Sequence, residues 1–280
     1  VSKKKLVYLF SLRNAAADLA GQQVPYKGEL RYMPSPLEYL VEQLNHTDLG
    51  AKWSLEAIIY DDDPESPRDR DKLGRFGFKP QADGLWIYPQ NLSVQGVPLN
   101  NLLEPIPSTY RKLPLAHPGR TQGKQAFERR LKARLDDIGA DLVLLDGLLV
   151  ILDELVRPGA PYRGRIVNIH PGITRLDSPY ERRGATATLD ALWCARGQKV
   201  TNWTTMQAQP TPPLFKTGAS FHLVDNGIDS GEVIVDSLNT DIHPDDTILE
   251  LRWNNFHHSL FPTMRDGLYQ MHELLCEVEG

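Results

Sequence analysis

Asn168 and His170 stand two residues apart at the end of the run Arg165-Ile166-Val167-Asn168-Ile169-His170, and Pro171 follows at once. An apolar run of that length, stopped by proline, predicts a strand. Residues two apart on a strand point to the same side, so an amide donor and an imidazole face one crevice. Pro171 disfavours a helical conformation at His170 and keeps it extended at the strand tip. A third group, Asp229, lies in a loop framed by glycines, Asn226-Gly227-Ile228-Asp229-Ser230-Gly231. Glycine there permits close approach of a ligand. If the loop folds over the same crevice, Asp229 meets His170, raises its pKa and orients the ring. Asn, His and Asp together suit acyl transfer to a nitrogen nucleophile. The amide and a protonated imidazole would donate to the oxyanion that forms on attack. The carboxylate would hold the imidazole and handle the nucleophile's proton, directly or through water. The incoming nitrogen is itself the nucleophile, so no serine or cysteine is required. Taken alone, the same residues also read as ordinary packing, because residues distant in sequence need not be neighbours.

These side chains need a scaffold that sets strand ends beside loops. Leu6 to Phe10, Leu55 to Tyr60, Asp141 to Leu145 and Arg165 to His170 are apolar runs of strand length. Gly218 to Val224 and Glu232 to Leu238 read as two more strands around the Asp229 loop. Leu37, Leu40, Val41 and Leu44 recur at helical spacing after Ser35-Pro36, and Phe127, Leu131, Leu135 and Ile138 do so before Gly139. Further helices are expected from near Asp153, over Ala185 to Arg196, and over Asp245 to Leu275. The last carries Trp253, Phe256, Leu260, Met264 and Leu268 on one face. Strands alternating with helices predict an α/β fold, a mainly parallel sheet flanked by helices. Ligands bind such sheets beyond the carboxyl ends of the strands, where Asn168 and His170 lie. Asp61-Asp62-Asp63-Pro64 reads as a solvated turn opening a charged stretch to about Arg75. Residues 61–123, poor in pattern beyond Phe76, read as a large insertion.

Composition narrows the field. A chain of 280 residues with a formal net charge of -5 gives a phosphate backbone no basic face to meet, so no nucleic-acid partner is expected. No apolar stretch approaches the length of a bilayer span, and no targeting segment is evident; the expected setting is the cytoplasm, away from membranes. Cys194 and Cys276 are too few for a disulfide framework, and Cys194 reads as a packed, inert thiol. His170, His222, Asp225 and Asp229 could be drawn as metal ligands. His222, however, alternates along a strand with no partner at ligand spacing, so it reads as packing or hydrogen bonding and no metal is expected.

Three blocks in order carry a resemblance. They are Asp141 to Leu152 (DLVLLDGLLVIL), Ile166 to Pro171 (IVNIHP) and Thr217 to Ile234 (TGASFHLVDNGIDSGEVI), within residues 140–235. Together they resemble the folate-dependent formyltransferase family. The resemblance implies one Rossmann-like formyltransferase domain over residues 1–280, with 10-formyltetrahydrofolate as co-substrate. It implies that Asn168, His170 and Asp229 are catalytic. It also implies a pterin pocket lined by Leu148, Leu149, Val150, Ile151 and Leu152 and by backbone around Asp225, Asn226 and Ile228. Over its length the chain resembles the branch of the family that serves pyoverdine siderophore pathways. That implies a small-molecule acceptor, N(5)-hydroxyornithine, and transient contact with other enzymes of such a pathway.

The departures are informative too. Ser11-Leu12-Arg13-Asn14-Ala15-Ala16 has no glycine where glycinamide ribonucleotide enzymes carry a phosphate-binding loop, which disfavours a phosphorylated acceptor. Arg13 and Asn14 sit at the matching position and are candidates for acceptor binding. Gly172 to Gly184, longer than the family's segment, reads either as part of an acceptor site, with Arg182 or Arg183 meeting a carboxylate, or as a solvated loop. The alternatives that stay open are another amine as acceptor, a hydrolase that delivers formyl to water, and a binding protein that keeps only the fold.

Overall fold

In the strand Lys4–Phe10 every residue from Leu6 onward is apolar and buried, because both faces are covered there, as parallel strands require. It pairs in parallel with Trp53–Tyr60 on one side and Leu142–Asp146 on the other. The computed structural model describes residues 3–76 and 92–279. Seven strands form one mainly parallel sheet, in the order Val233–Asp241, Lys216–Leu223, Ile166–His170, Leu142–Asp146, Lys4–Phe10, Trp53–Tyr60, Leu103–Pro105. The chain folds as two compact units.

The first unit comprises residues 1–22, 32–167 and 224–226. Val7, Leu9, Ala57, Ile59, Val143 and Leu145 pack against Phe127, Leu131, Leu135 and Ile138 of the helix Arg120–Ile138. That helix stops where Gly139 turns left-handed, φ 68°. The helix Pro36–His46 begins with a capping box between Ser35 and Glu38. Three expectations change in this unit. The aspartates expected in a solvated turn are buried: Asp61, Asp62 and Asp63 are 0, 1 and 4 % exposed. The charged stretch beyond them is the helix Pro67–Arg75, capped by Ser66. No helix starts near Asp153; residues 154–156 form a turn. Of the expected insertion, residues 77–91 lie outside the described residues. Leu103–Pro105, also within it, pairs with Trp53–Tyr60 and so belongs to the sheet.

The second unit comprises residues 23–31, 168–223 and 227–280. Lys216–Leu223 and Val233–Asp241 pair antiparallel, with an irregular register between Thr217 and Ala219. Gly218 sits there because a Cβ would stand 1.8 Å from the Ser237 carbonyl oxygen. The helix Ala187–Ala195 precedes the two strands, and Ile248–Asn255 and Phe261–Glu279 follow, joined by a π-helical segment, Phe256–Leu260. Phe256, Leu260, Met264 and Leu268 are buried as their spacing predicts. Trp253 is only partly buried; it stacks on His257 at 3.9 Å and lies beneath the Arg31 guanidinium.

Candidate active site

The strand Ile166–His170 ends with His170 5 % exposed and Asn168 partly buried. Asp229 arrives from the loop after Lys216–Leu223 in a left-handed conformation, φ 47°, which Asp and Asn tolerate better than most residues. Its carboxylate is the hub. Oδ1 accepts from Asn168 Nδ2 at 3.1 Å and lies 3.4 Å from His222 Nε2. Oδ2 accepts from the Gly184 amide at 2.8 Å and lies 3.4 Å from His170 Nδ1. The three residues singled out by spacing are thus brought together.

His222 is the member that sequence reasoning missed. It is 2 % exposed, on the strand that delivers the Asp229 loop, and its period-two position could equally have meant core. Its Nε2 lies 3.3 Å from Asn168 Nδ2, and its Nδ1 lies 2.8 Å from the Leu223 carbonyl oxygen. An amide nitrogen only donates and a carbonyl only accepts. His222 therefore carries a hydrogen on Nδ1 and gives it to Leu223, while its Nε2 faces both Asn168 Nδ2 and Asp229 Oδ1. One amide hydrogen of Asn168 is engaged by Asp229.

Charge follows geometry. Burial opposes the charge of Asp229, but His222, His170 and the Gly184 amide outweigh it and hold the carboxyl well below the usual range. Burial pushes the His170 pKa down, while Asp229 and the Arg182 carbonyl pull it up without cancelling the effect. The expected upward shift of His170 is thus corrected: desolvation of a ring this deeply enclosed exceeds the attraction of the carboxylate.

In the first unit, Arg13 does not stand in an open crevice. It is 4 % exposed, with Nη1 2.8 Å from Asp62 and 3.0 Å from Asp69 and Nη2 3.3 Å from Asp61. A guanidinium so enclosed is a structural cation, which corrects its expected role in acceptor binding. Asn14 likewise spends its amide on the Gly147 carbonyl. The segment after Gly147 is pinned at both ends. Tyr8 Oη donates to Asp146 at 2.5 Å before it, and the Asp153 amide donates to buried Glu128 at 2.8 Å after it. Between these pins Val150 and Leu152 are buried, Leu148 packs on the core, and Leu149 and Ile151 stay 52 and 42 % exposed. In the second unit Ile228 is 58 % exposed. Among the described residues no group of three or more His, Cys, Asp or Glu is arranged to hold a metal ion, and no helix is long and apolar enough to cross a membrane.

An α/β sheet that gathers Asn, His and Asp at a strand's carboxyl end defines an acyl-transfer enzyme class. Residues 87–264 match the sequence pattern of the formyl transferase family, "Formyl transferase", and the chain belongs to that family. It is 60 % identical, with a TM-score of 0.90 over 97 % of this chain and 100 % of the other, to PvdF of pyoverdin biosynthesis, described as a structurally unique N10-formyltetrahydrofolate-dependent formyltransferase. Phosphoribosylglycinamide formyltransferase of Anaplasma phagocytophilum shares the fold at 15 % identity, with a TM-score of 0.51 over 97 % of this chain and 88 % of the other. Glycinamide ribonucleotide transformylase 1 of Geobacillus kaustophilus does so at 18 % identity, with a TM-score of 0.51 over 98 % and 100 %.

Proposed function

We propose that this enzyme transfers a formyl group from N10-formyltetrahydrofolate to the side-chain hydroxylamine nitrogen of N(5)-hydroxyornithine, giving the hydroxamate of a pyoverdine-type siderophore. The observation that carries the chemistry is the single carboxylate, Asp229, facing Asn168, His170 and His222. The similarity to PvdF carries the donor and the pathway. A hydroxylamine is less basic than an alkyl amine, so the acceptor nitrogen is neutral and nucleophilic at neutral pH. As it attacks, a new N–C bond forms, the donor's N–C bond to the formyl group breaks, and the acceptor's proton ends on the donor nitrogen. Asn168 gives an amide hydrogen to the formyl oxygen as that oxygen gains charge. Asp229 stays ionised at neutral pH and, with His170, relays the proton.

The acceptor carries no phosphate in this reading. Where a phosphate would meet a helix N-terminus, the Leu12 and Arg13 amides already donate to Asp62, at 2.6 and 3.1 Å. For the donor, Leu149 and Ile151 offer open apolar surface of the kind a flat heterocycle covers. In this reading Leu148, Val150 and Leu152 of the same segment and the backbone around Asp225 and Asn226 complete the donor surface of the first unit. The single formyltransferase domain is read as spanning residues 1–280, its core motifs at 140–235. We place the reaction in the cytoplasm, where the free thiols of Cys194 and Cys276 stay reduced.

The test follows release of tetrahydrofolate from N10-formyltetrahydrofolate with hydroxyornithine, ornithine, simple amines or no acceptor. Release that needs hydroxyornithine, with a formylated product by mass, is expected. Release without acceptor would make the enzyme a hydrolase. His170→Ala is expected to lower kcat about a hundredfold or more, the scale of general acid–base participation, with its thermal transition retained. Near-normal turnover would remove His170 from the mechanism.

A further inference from the structure

The segment between His170 and Gly184 was readable only as an acceptor loop or a solvated loop, and the structure shows it doing something else. Arg182 is 6 % exposed, and its backbone carbonyl oxygen lies 2.8 Å from His170 Nε2. We propose that this carbonyl is a built-in acceptor that fixes the tautomer of His170, held in place by Asp190 and admitted by Gly172. The proposal rests on the reading that His170 takes part in formyl transfer.

A carbonyl oxygen only accepts, so the contact places a hydrogen on Nε2. The neutral ring then carries its lone pair on Nδ1, the atom that faces Asp229 Oδ2 at 3.4 Å. The bond made by one ring nitrogen sets what the other can do. Here it makes Nδ1 the atom where a proton arrives and leaves, next to the carboxylate that shares it. Had Nδ1 carried the neutral ring's proton instead, that proton would be given to Asp229 and the ring could not accept one there.

Three contacts hold the carbonyl in position. The Arg182 amide donates to the Ile173 carbonyl at 2.7 Å, and Ile173 bridges to Glu181, closing the loop on itself. The Arg182 guanidinium is enclosed, with Nε 3.3 Å from Asp190 on the helix Ala187–Ala195. Nε makes no hydrogen bond, so this pair acts through charge. Lys199 holds the same carboxylate from outside at 2.7 and 2.9 Å. A buried cation cannot leave such a partner cheaply, so the backbone carrying it is fixed. Finally, a Cβ on Gly172 would stand 2.7 Å from the Arg182 carbonyl oxygen and 3.1 Å from His170 Nε2. Only glycine leaves room for this approach. The other charged groups that act on His170 are Asp229, which favours its protonation, and His222 and Arg183, which oppose it.

The test compares Gly172→Ala and Asp190→Asn with the wild type, using Asp190→Glu as the conservative control. Nitrogen-15 NMR of the ring reads the tautomer directly, and steady-state kinetics read kcat and KM separately. The wild-type ring is expected as the Nε2–H form. Gly172→Ala should mix the tautomers and lower kcat roughly tenfold or more, part of the full general acid–base effect, with KM for both substrates and the thermal transition held. Asp190→Asn should act in the same direction, and Asp190→Glu should restore most of the rate. An Nε2–H ring and normal kcat in Gly172→Ala would overturn the proposal while leaving His170 in the mechanism. A fully active His170→Ala enzyme would overturn the reading beneath it, so the two failures are distinct.

Discussion

Asp229 faces four polar groups with two oxygens, and its backbone sits at φ 47°. Those two facts decide which substitution is informative. Alanine would remove the charge and also strain the left-handed backbone, so a loss could be blamed on either. Asparagine tolerates that conformation and is nearly the same size, so Asp229→Asn removes the charge and one acceptor oxygen without backbone strain. The expected outcome is a kcat lower by about two orders of magnitude, with binding of the folate donor close to wild type. Donor affinity by fluorescence titration and single-turnover rates check it. A variant that lost donor binding but kept its single-turnover rate would mean that Asp229 holds the loop and not the proton. The histidines bear on the same point. His170 and His222 both lie against this carboxylate, but His222 also gives its Nδ1 hydrogen to the Leu223 carbonyl and sets Nε2 beside Asn168. The two imidazoles beside one carboxylate therefore differ in surroundings: His170 meets the Arg182 carbonyl, and His222 meets Leu223 and Asn168.

At the scale of elements, the carboxyl ends of the first two parallel strands are tied together by buried charge. Arg13 follows Phe10, Asp61 and Asp62 follow Tyr60, and Asp69 comes from the helix Pro67–Arg75. Arg111 adds a second cation, 3.4 Å from Asp61 and 3.1 Å from Asp69. Replacing Arg13 by Met leaves Asp62 without its cation and Asp61 and Asp69 with Arg111 alone, and should cost about 3–5 kcal/mol. The deficit should shrink below about pH 6, because burial already raises the Asp62 pKa to about 6 and loss of the guanidinium raises it further. Urea unfolding at pH 5 and pH 8 measures both effects, and equal losses at the two pH values would contradict the role given to Asp62. This knot also shows where sequence stops being legible. The strands were readable because every residue from Leu6 to Phe10 is apolar and fully covered. Asn168 and His170 were readable because a two-residue spacing fixes a face without any tertiary knowledge. Three aspartates in a row carry no such periodicity. Their burial depends on Arg13 and Arg111, residues far away in the chain that only the folded sheet brings near. The same holds for the segment from Gly172 to Gly184, whose contribution to the site is backbone: a carbonyl and an amide that no side-chain pattern announces.

At the scale of the whole molecule, 36 acidic residues outnumber 31 basic ones, and several of the acids lie where charge is costly. Burial raises Asp146 to about 7, with Asp18 adding to the effect and the Tyr8 hydroxyl opposing it. The sign of the consequence follows from proton counting. Between the ordinary carboxyl value of 3.8 and about 7, the unfolded chain has released this proton while the folded chain keeps it. Stability from this group is therefore full below the ordinary value and is lost as pH rises through about 7. Asp62 does the same with its loss centred near 6. Asp229 works in the other direction, contributing above the ordinary carboxyl range and losing its contribution only in strong acid. His170, lowered by burial, contributes at pH above the ordinary histidine value and loses its contribution as pH falls through its own. The two raised aspartates thus predict stability that declines from mildly acidic to mildly alkaline pH in the unit that contains both. Asp146→Asn keeps an oxygen for the Tyr8 hydroxyl at 2.5 Å but has no proton to lose. It should be more stable than wild type at pH 8 and much closer to it at pH 5, because only at pH 8 does the wild-type fold bear an unshielded buried charge. Each kcal/mol recovered would raise the transition by roughly 2–4 °C in a chain of this size. Calorimetric scans of both proteins across that range decide it. Parallel curves would mean that Asp146 is already ionised in the fold, and that the Tyr8 hydroxyl supports the charge of a carboxylate at the entrance to the Leu148–Leu152 segment.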